Sequence, residues 1–194
     1  MAQRIRSLLI IIAVIVLDRW SKSYIRTEFG PFDSIPIIPG FFNIVHSENP
    51  GAAFGVLADA SGQWRALLLI GISAVVMVVV AWILFGPSPG AKSRSAEASL
   101  AETALGRAGL ALVLGGAIGN MWDRVIVGTV TDFLQVFILS PWGLYEFPSF
   151  NVADSAITIG AGLLILDMWL HRRADRNPTH APRLDPTPPE ASHE

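Results

Sequence analysis

Four stretches of the chain are apolar for long enough to cross a bilayer, and the segments between them differ sharply in character. A spanning helix needs roughly 20 mostly apolar residues. Residues 66–85 meet that requirement without a single charge and stop at Gly86-Pro87-Ser88-Pro89-Gly90, a run that ends helices. The first window, residues 6–24, has an uncharged core from Ser7 to Leu17, followed by Asp18, Arg19 and Lys22. No small-residue cleavage site follows that core, so it reads as a retained span and not as a removable leader. The third window, 105–122, and the fourth, 152–170, are interrupted by charges. Residues 27–63 and 125–150 have a different pattern: prolines at 31, 36, 39 and 50, and short β-prone pieces such as FFNIV, VIVGTV and LYEF, the last two separated by the turn SPWG. The expected fold class is an all-α membrane protein of four transmembrane helices, with a small β-rich cap built from the outer loops.

Composition agrees with a membrane protein: 52% of the 194 residues are hydrophobic and 15% charged, and the mean hydropathy is +0.49. The formal charge of -2 offers no basic surface to neutralise a phosphate backbone, so no nucleic-acid partner is expected. The absence of cysteine excludes thiol nucleophiles and cysteine-ligated metal centres. Orientation follows from the basic residues, which favour the cytoplasmic side. Nine of them flank one side of a four-span arrangement (Arg4, Arg6, Lys92, Arg94, Arg107, Arg172, Arg173, Arg176 and Arg183) and five the other (Arg19, Lys22, Arg26, Arg65 and Arg124). Both termini are therefore expected in the cytoplasm. Residues 172–194 hold five prolines and almost no apolar side chain, which makes them a disordered cytoplasmic tail beyond a four-span domain of residues 1–171.

Carboxylates in or beside spans are costly, and so are functional candidates. At 1.5 Å per residue, Asp18 lies about 18 Å beyond Arg6, Asp123 about 24 Å beyond Arg107, and Asp154 about 26 Å outward from His171. Three carboxylates thus approach one boundary, and Asp132 follows Asp123 closely in an apolar setting. Asp132 and Asp154 are embedded in the apolar stretches TVTDFLQVF and FNVADSAITIG. Asp18 and Asp123 each precede an arginine, which suggests local neutralisation and a supporting role, while Asp167 beside His171 reads as an interfacial anchor. Two carboxyl groups forced together share a proton, and one can then activate water while the other protonates a carbonyl oxygen. No His-Glu-x-x-His pair is present, and the histidines at 46, 171, 180 and 193 are scattered, so neither a metal nor another cofactor is expected. A serine-lysine dyad from Ser21, Lys22 and Ser23 is disfavoured, because adjacent helical positions point in different directions. A proton-coupled transporter using the aspartates as a relay is the alternative, although the midplane segments 8–16, 68–80 and 155–166 carry no titratable group. A membrane scaffold without catalysis is the third reading. It predicts that both aspartates tolerate amides.

Five motifs then carry a resemblance to a known family. Asp18-Arg19-Trp20-Ser21-Lys22, Asn49-Pro50-Gly51-Ala52-Ala53-Phe54-Gly55, the run from Gly115 to Arg124 (GGAIGNMWDR), Val130-Thr131-Asp132-Phe133 and Phe150-Asn151-Val152-Ala153-Asp154 occur in the order seen in lipoprotein signal peptidases, the type II signal peptidases of bacteria. The chain resembles that family from about Arg6 to Leu170. The resemblance implies an aspartic endopeptidase of the inner membrane, active near the periplasmic face, that removes signal peptides from prolipoproteins just before a diacylglyceryl cysteine. It implies Asp132 and Asp154 as the catalytic pair. Asp18, Asn49, Gly51, Asn120, Asp123, Arg124 and Asn151 become supporting or substrate-binding positions. The implied partners are the lipidated precursors and membrane lipid, with the enzyme acting as a monomer. The stretch between Asp132 and Asp154 is slightly long for the family, with SPWGLYEF as the extra turn, and the tail lies outside the match.

Overall fold

The computed structural model describes residues 1–51, 64–86, 100, 103–140 and 143–175. Four long helices account for most of them: α1 (Ala2–Glu28), α2 (Trp64–Phe85), α3 (Ala104–Ile126) and α4 (Val152–Asp175). Each contains its expected window and extends beyond it by a few residues. Among the described residues three helices are long and apolar enough to cross a membrane, with spans at Leu67–Phe85, Ala104–Ile126 and Val152–His171. Helix α1 has the length, 27 residues, but Asp18, Arg19 and Lys22 fall inside its apolar stretch.

Helix α3 is central and packs against α1, α2 and α4. Thr103 starts it, its hydroxyl accepting from Gly106 N at 2.8 Å, a regular N-cap. Glycines let it approach its neighbours closely. A Cβ on Gly116 would stand 2.4 Å from Ala153 O, and one on Gly109 2.8 Å from Gly160 O, so the α3–α4 seam is set by backbone contact of small residues. At one end of the bundle Ile11, Val80, Leu84, Leu110, Ala111 and Leu114 form the buried apolar cluster. At the other end the interior is polar, with Asp18, Lys22, Asn120 and Asp123 buried.

Above that polar end lies a four-stranded antiparallel sheet in the order β1 (Ser34–Ile38), β2 (Phe42–Asn49), β3 (Val130–Ser140), β4 (Gly143–Glu146). The β1–β2 turn closes with Phe41 N donating to Ile38 O at 3.0 Å. Pro39 opens it and Gly40 takes φ +74°, the arrangement of a type II turn. Register across β2 and β3 sets Ser47 opposite Asp132, Glu48 opposite Thr131 and Asn49 opposite Val130.

The β-rich cap therefore forms as expected, with two corrections. Residues 125 and 126 of the β-prone run VIVGTV end α3, because its helical hydrogen bonds run on until Val127 N reaches Asp123 O, and β3 starts only at Val130. The β-prone piece LYEF contributes a strand, as expected, which corrects only the reading of SPWGLYEF as one extra turn. Leu144, Tyr145 and Glu146 pair with β3 as a strand, which the β-propensity of the segment favours. Pro141, Trp142, residues 87–99, Ala52-Ala53-Phe54-Gly55 and the tail from residue 176 lie outside the described residues.

Candidate active site

Asp132 stands on β3 and Asp154 in the first turn of α4, and both line one open cavity of about 590 Å³ together with Asn49, Arg124, Phe150 and Thr158. Three asparagines hold the two carboxylates. Asn49 ends β2, and its Oδ1 accepts from Gly51 N at 2.8 Å while its Nδ2 donates to Asp132 Oδ2 at 3.0 Å. Gly51 makes that turn possible. Its φ is +101°, a conformation that favours glycine, and a Cβ there would also have to displace the end of the Leu69 side chain, 2.3 Å away.

Asn151 caps α4 and touches both aspartates. Its Oδ1 accepts from Asp154 N at 3.0 Å, and Asp154 Oδ2 in return accepts from Asn151 N at 3.3 Å, a reciprocal capping box. The amide thus oriented donates from Nδ2 to Asp132 Oδ1 at 2.7 Å. Four residues of local sequence, Asn-Val-Ala-Asp, therefore put one carboxylate at a helix N-terminus, where negative charge is favoured, and tie it to the other. Asn120, in the last third of α3, supplies the third amide: Nδ2 donates to Asp154 Oδ1 at 2.7 Å.

Behind Asn120 lies a buried ionic cluster. The Lys22 side chain has 0% exposure, and its Nζ is 2.9 Å from Asp18 Oδ2, 3.0 Å from Asp123 Oδ2 and 2.9 Å from Asn120 Oδ1. Asp123 also binds Arg19 and, at 3.0 Å, Arg26 Nη2. Asp18 Oδ1 accepts from Ala153 N at 3.0 Å, so α1 holds the first turn of α4 directly. Glu48 on β2 joins the sheet to this cluster: it accepts from Thr131 Oγ1 at 2.8 Å and Thr129 Oγ1 at 2.5 Å, and His46 Nε2 lies 3.1 Å away. Arg26 Nε in turn donates to Thr131 Oγ1 at 2.7 Å.

The sheet residues show how this setting acts on titration. Burial, opposed by donors from Asn49 and Asn151 and reinforced by the negative charge of Asp154, pushes the Asp132 carboxyl from 3.8 up to about 6. Glu48 moves the other way. Burial alone would raise it, but the Thr129, Thr131 and His46 hydrogen bonds and the Arg26 charge together hold it below its usual value. A carboxyl whose proton affinity is raised beside a second carboxylate is what general acid–base work on a peptide requires.

The seven supporting positions read from the sequence gather around these two carboxylates. Asp132, Asp154, Asn49 and Arg124 line the cavity, Asn120 and Asn151 bond the dyad, and Gly51 shapes the Asn49 turn. Asp18 and Asp123 sit in the cluster behind, but not paired with their sequence neighbours. Arg19 reaches Asp123 and Asp18 meets Lys22, because successive helical residues diverge by about 100° while those four apart align. Arg124 instead faces the cavity and acts electrostatically on Asp132 and Asp154. Asp167 is buried, 2% exposed, and not an exposed anchor. Trp20 and Trp82 are exposed on the outer faces of α1 and α2, as interfacial aromatics would be; the Trp64 side chain lies outside what is described.

Lys22, Arg26, Glu48 and Thr131 were not singled out as site residues. A signal for the first two existed: Asp18, Lys22 and Arg26 recur every four residues on α1, one face of a helix. Burial of Lys22 against two carboxylates also removes the serine-lysine reading, since Ser21 Oγ donates to Asp18 O at 3.1 Å and Ser23 is exposed. Among the described residues no three His, Asp or Glu side chains gather as a metal site would require.

Comparison with known proteins follows the same lines. A family model described as signal peptidase (SPase) II matches residues 10–170. The lipoprotein signal peptidase of Solibacter usitatus is 38% identical over 164 residues, covering 84% of this chain and 90% of that protein. That of Pseudomonas aeruginosa strain UCBPP-PA14 is 39% identical over 171 residues, 88% of this chain and 92% of its own. Among solved structures, a bacterial membrane enzyme determined by the in meso method at 2.3 Å resolution matches with a TM-score of 0.70 and 29% identity, over 91% of this chain and 94% of that one. A second, at 1.9 Å, gives a TM-score of 0.65 and 32% identity over 84% and 92%.

Proposed function

Because the chain belongs to the signal peptidase II family and is therefore a membrane peptidase that cleaves prolipoprotein signal peptides, we propose that it works as an aspartic endopeptidase through Asp132 and Asp154. The observation that carries this reading is the single cavity lined by both carboxylates and bridged by Asn151. Asp132, with its raised proton affinity, acts as the acid and protonates the scissile carbonyl oxygen. Asp154 acts as the base and removes a proton from the attacking water. The tetrahedral diol then collapses as Asp132 takes back the proton of one diol hydroxyl, the proton held by Asp154 passes to the leaving amine, and the C–N bond breaks. Arg124, at the cavity wall, orients the peptide backbone.

The substrates are precursors carrying a diacylglyceryl cysteine, cut just before that residue at the outer face of the inner membrane, with membrane lipid around a monomeric enzyme. This rests on the family and on the cavity's position at the polar end of the bundle. Helix α1 serves as a fourth span: its buried charges, Asp18 and Lys22, point into the protein, so they need not meet lipid. Both termini are then cytoplasmic, residues 1–171 form the peptidase domain, and residues 172–194, of which 172–175 continue α4, are a tail without a catalytic part. The proton-relay transporter finds no support in the family or in the relatives' names.

The test is cleavage of matched diacylated and undiacylated precursors in bilayers, with and without EDTA. Expected is cleavage of the diacylated precursor alone, insensitive to EDTA and lost in Asp132→Asn and in Asp154→Asn. Loss of cleavage on chelation, restored by added magnesium, would overturn the metal-free dyad. Equal cleavage of both precursors would overturn the substrate assignment.

A further inference from the structure

Asn120 differs from the other two asparagines in one respect. Asn49 has its Oδ1 held by Gly51 N, and Asn151 has its Oδ1 held by Asp154 N, both main-chain donors a few residues away. In each case the oxygen is occupied and the NH2 is left to face an aspartate. Asn120 lies within α3, where the backbone N–H groups are committed to the helix and offer no such donor. What occupies its oxygen is a side chain from another helix, Lys22 Nζ at 2.9 Å, with Asn151 Nδ2 further off at 3.3 Å.

We propose that Lys22 is a positioning residue of the dyad: its buried ammonium dictates which way the Asn120 amide faces, and so presents an N–H to Asp154. This rests on the reading of Asp132 and Asp154 as the catalytic pair. An ammonium carries three N–H donors and no acceptor, so only the oxygen of Asn120 can face it. Asp18 and Asp123 hold the ammonium from its other sides, and a Cβ on Gly119 would press Asp18 Oδ2 at 2.6 Å, which leaves the group little room to move. The Asn120 Nδ2 is thereby turned to Asp154 Oδ1 at 2.7 Å.

Without the ammonium the Asn120 oxygen keeps only the longer contact from Asn151 Nδ2 at 3.3 Å, and the preference for presenting the N–H to Asp154 weakens. An oxygen turned toward Asp154 favours a bound proton there, where an N–H favours the carboxylate. Other charges facing Asp154 are Arg124 from α3 and Asp132 from β3. Arg19 and Arg26 of α1 lie behind Asp123, and Glu48 and His46 of β2 lie across Thr131. All of these remain in a Lys22 variant, which loses in addition the Lys22 charge that itself acts on Asp132.

The experiment is the pH dependence of kcat/KM for a diacylated precursor, read in Lys22→Met, Asn120→Ala and their combination, with Asp154→Asn alongside. Expected in Lys22→Met is an acid limb moved up by about one unit and a kcat reduced about tenfold or more, with KM within about threefold of wild type. Asn120→Ala should move the limb in the same direction, and adding Lys22→Met to it should move it no further. Since Lys22→Met leaves Asp18 and Asp123 facing each other, the charge-balanced pair Asp18→Asn with Lys22→Met provides a second reading of the same shift. An acid limb unmoved in folded protein, or one whose shift adds to that of Asn120→Ala, would overturn the positioning role while inactive Asp154→Asn kept the dyad standing. Cleavage retained by Asp154→Asn would overturn both.

Discussion

Asp132 and Asp154 are each bonded by two donors. Asp132 is buried and lies near a second negative charge, so its carboxyl holds a proton to about pH 6. Asp132→Asn and Asp154→Asn should each lower kcat by several orders of magnitude, because a general acid or base is lost outright. Asn49→Ala removes one donor to Asp132 and should cost about 1–3 kcal/mol in kcat/KM, measured with a fluorogenic lipidated precursor. The same shift makes a stability prediction. Between pH 3.8 and about 6 the folded protein binds more protons at Asp132 than the unfolded chain does, so its contribution to stability declines as pH rises through that window. The decline is at most about 3 kcal/mol. Thermal unfolding in detergent at pH 4 and at pH 7 should show a fall that is flattened in Asp132→Asn. Glu48, held below its usual value, contributes with the opposite sign at lower pH, and is common to both proteins.

At the level of elements, the site depends on how closely α3 approaches α1 and α4. Gly116 and Gly119 lie one turn apart on α3. The first faces Ala153 O, the residue before Asp154, and the second faces Asp18 Oδ2. Gly116→Ala should push α4 outward, costing roughly 1–3 kcal/mol and lowering turnover, since Asp154 travels with that turn. Gly162→Ala, on a part of α4 where nothing lies within 4 Å of the added Cβ, should be neutral or stabilise by up to about 1 kcal/mol through helix propensity. Paired unfolding midpoints and kcat values for the two variants check this. Equal effects would mean that close packing of the seam is not what holds Asp154.

For the whole molecule, the proposed orientation follows from nine basic residues against five. Reporters fused after Ser88 or Asp175 should report the cytoplasm, and one placed within residues 33–63 the outer side. The reverse pattern would place the cavity on the wrong face for a translocated precursor. Removal of residues 176–194 should leave cleavage intact, because that segment holds too few apolar side chains to dock on the bundle. The apolar cluster of Ile11, Leu84 and Leu114 then carries the packing at one end, and the ionic cluster around Lys22 carries it at the other.

Much of this was legible from the chain alone, for reasons that are local. Apolar length marks a long helix whatever lies beside it, so all four helices were readable, three of them long and apolar enough to cross a membrane, as were the β-prone pieces of the cap. The Asn49-Pro50-Gly51 turn and the Asn-Val-Ala-Asp capping box are also local, although the sequence marked their residues only as motif positions, and each orients an amide toward an aspartate with main-chain donors a few residues away. What only the tertiary structure decided is long-range. Sequence adjacency suggested Arg19 for Asp18 and Arg124 for Asp123, whereas helical geometry and packing of α1 on α3 gave Lys22 to both carboxylates and Arg19 to Asp123. The link from Lys22 through Asn120 to Asp154 crosses three helices. A mid-helix asparagine has no free main-chain donor to orient it, so its direction could come only from a residue that folding brought alongside.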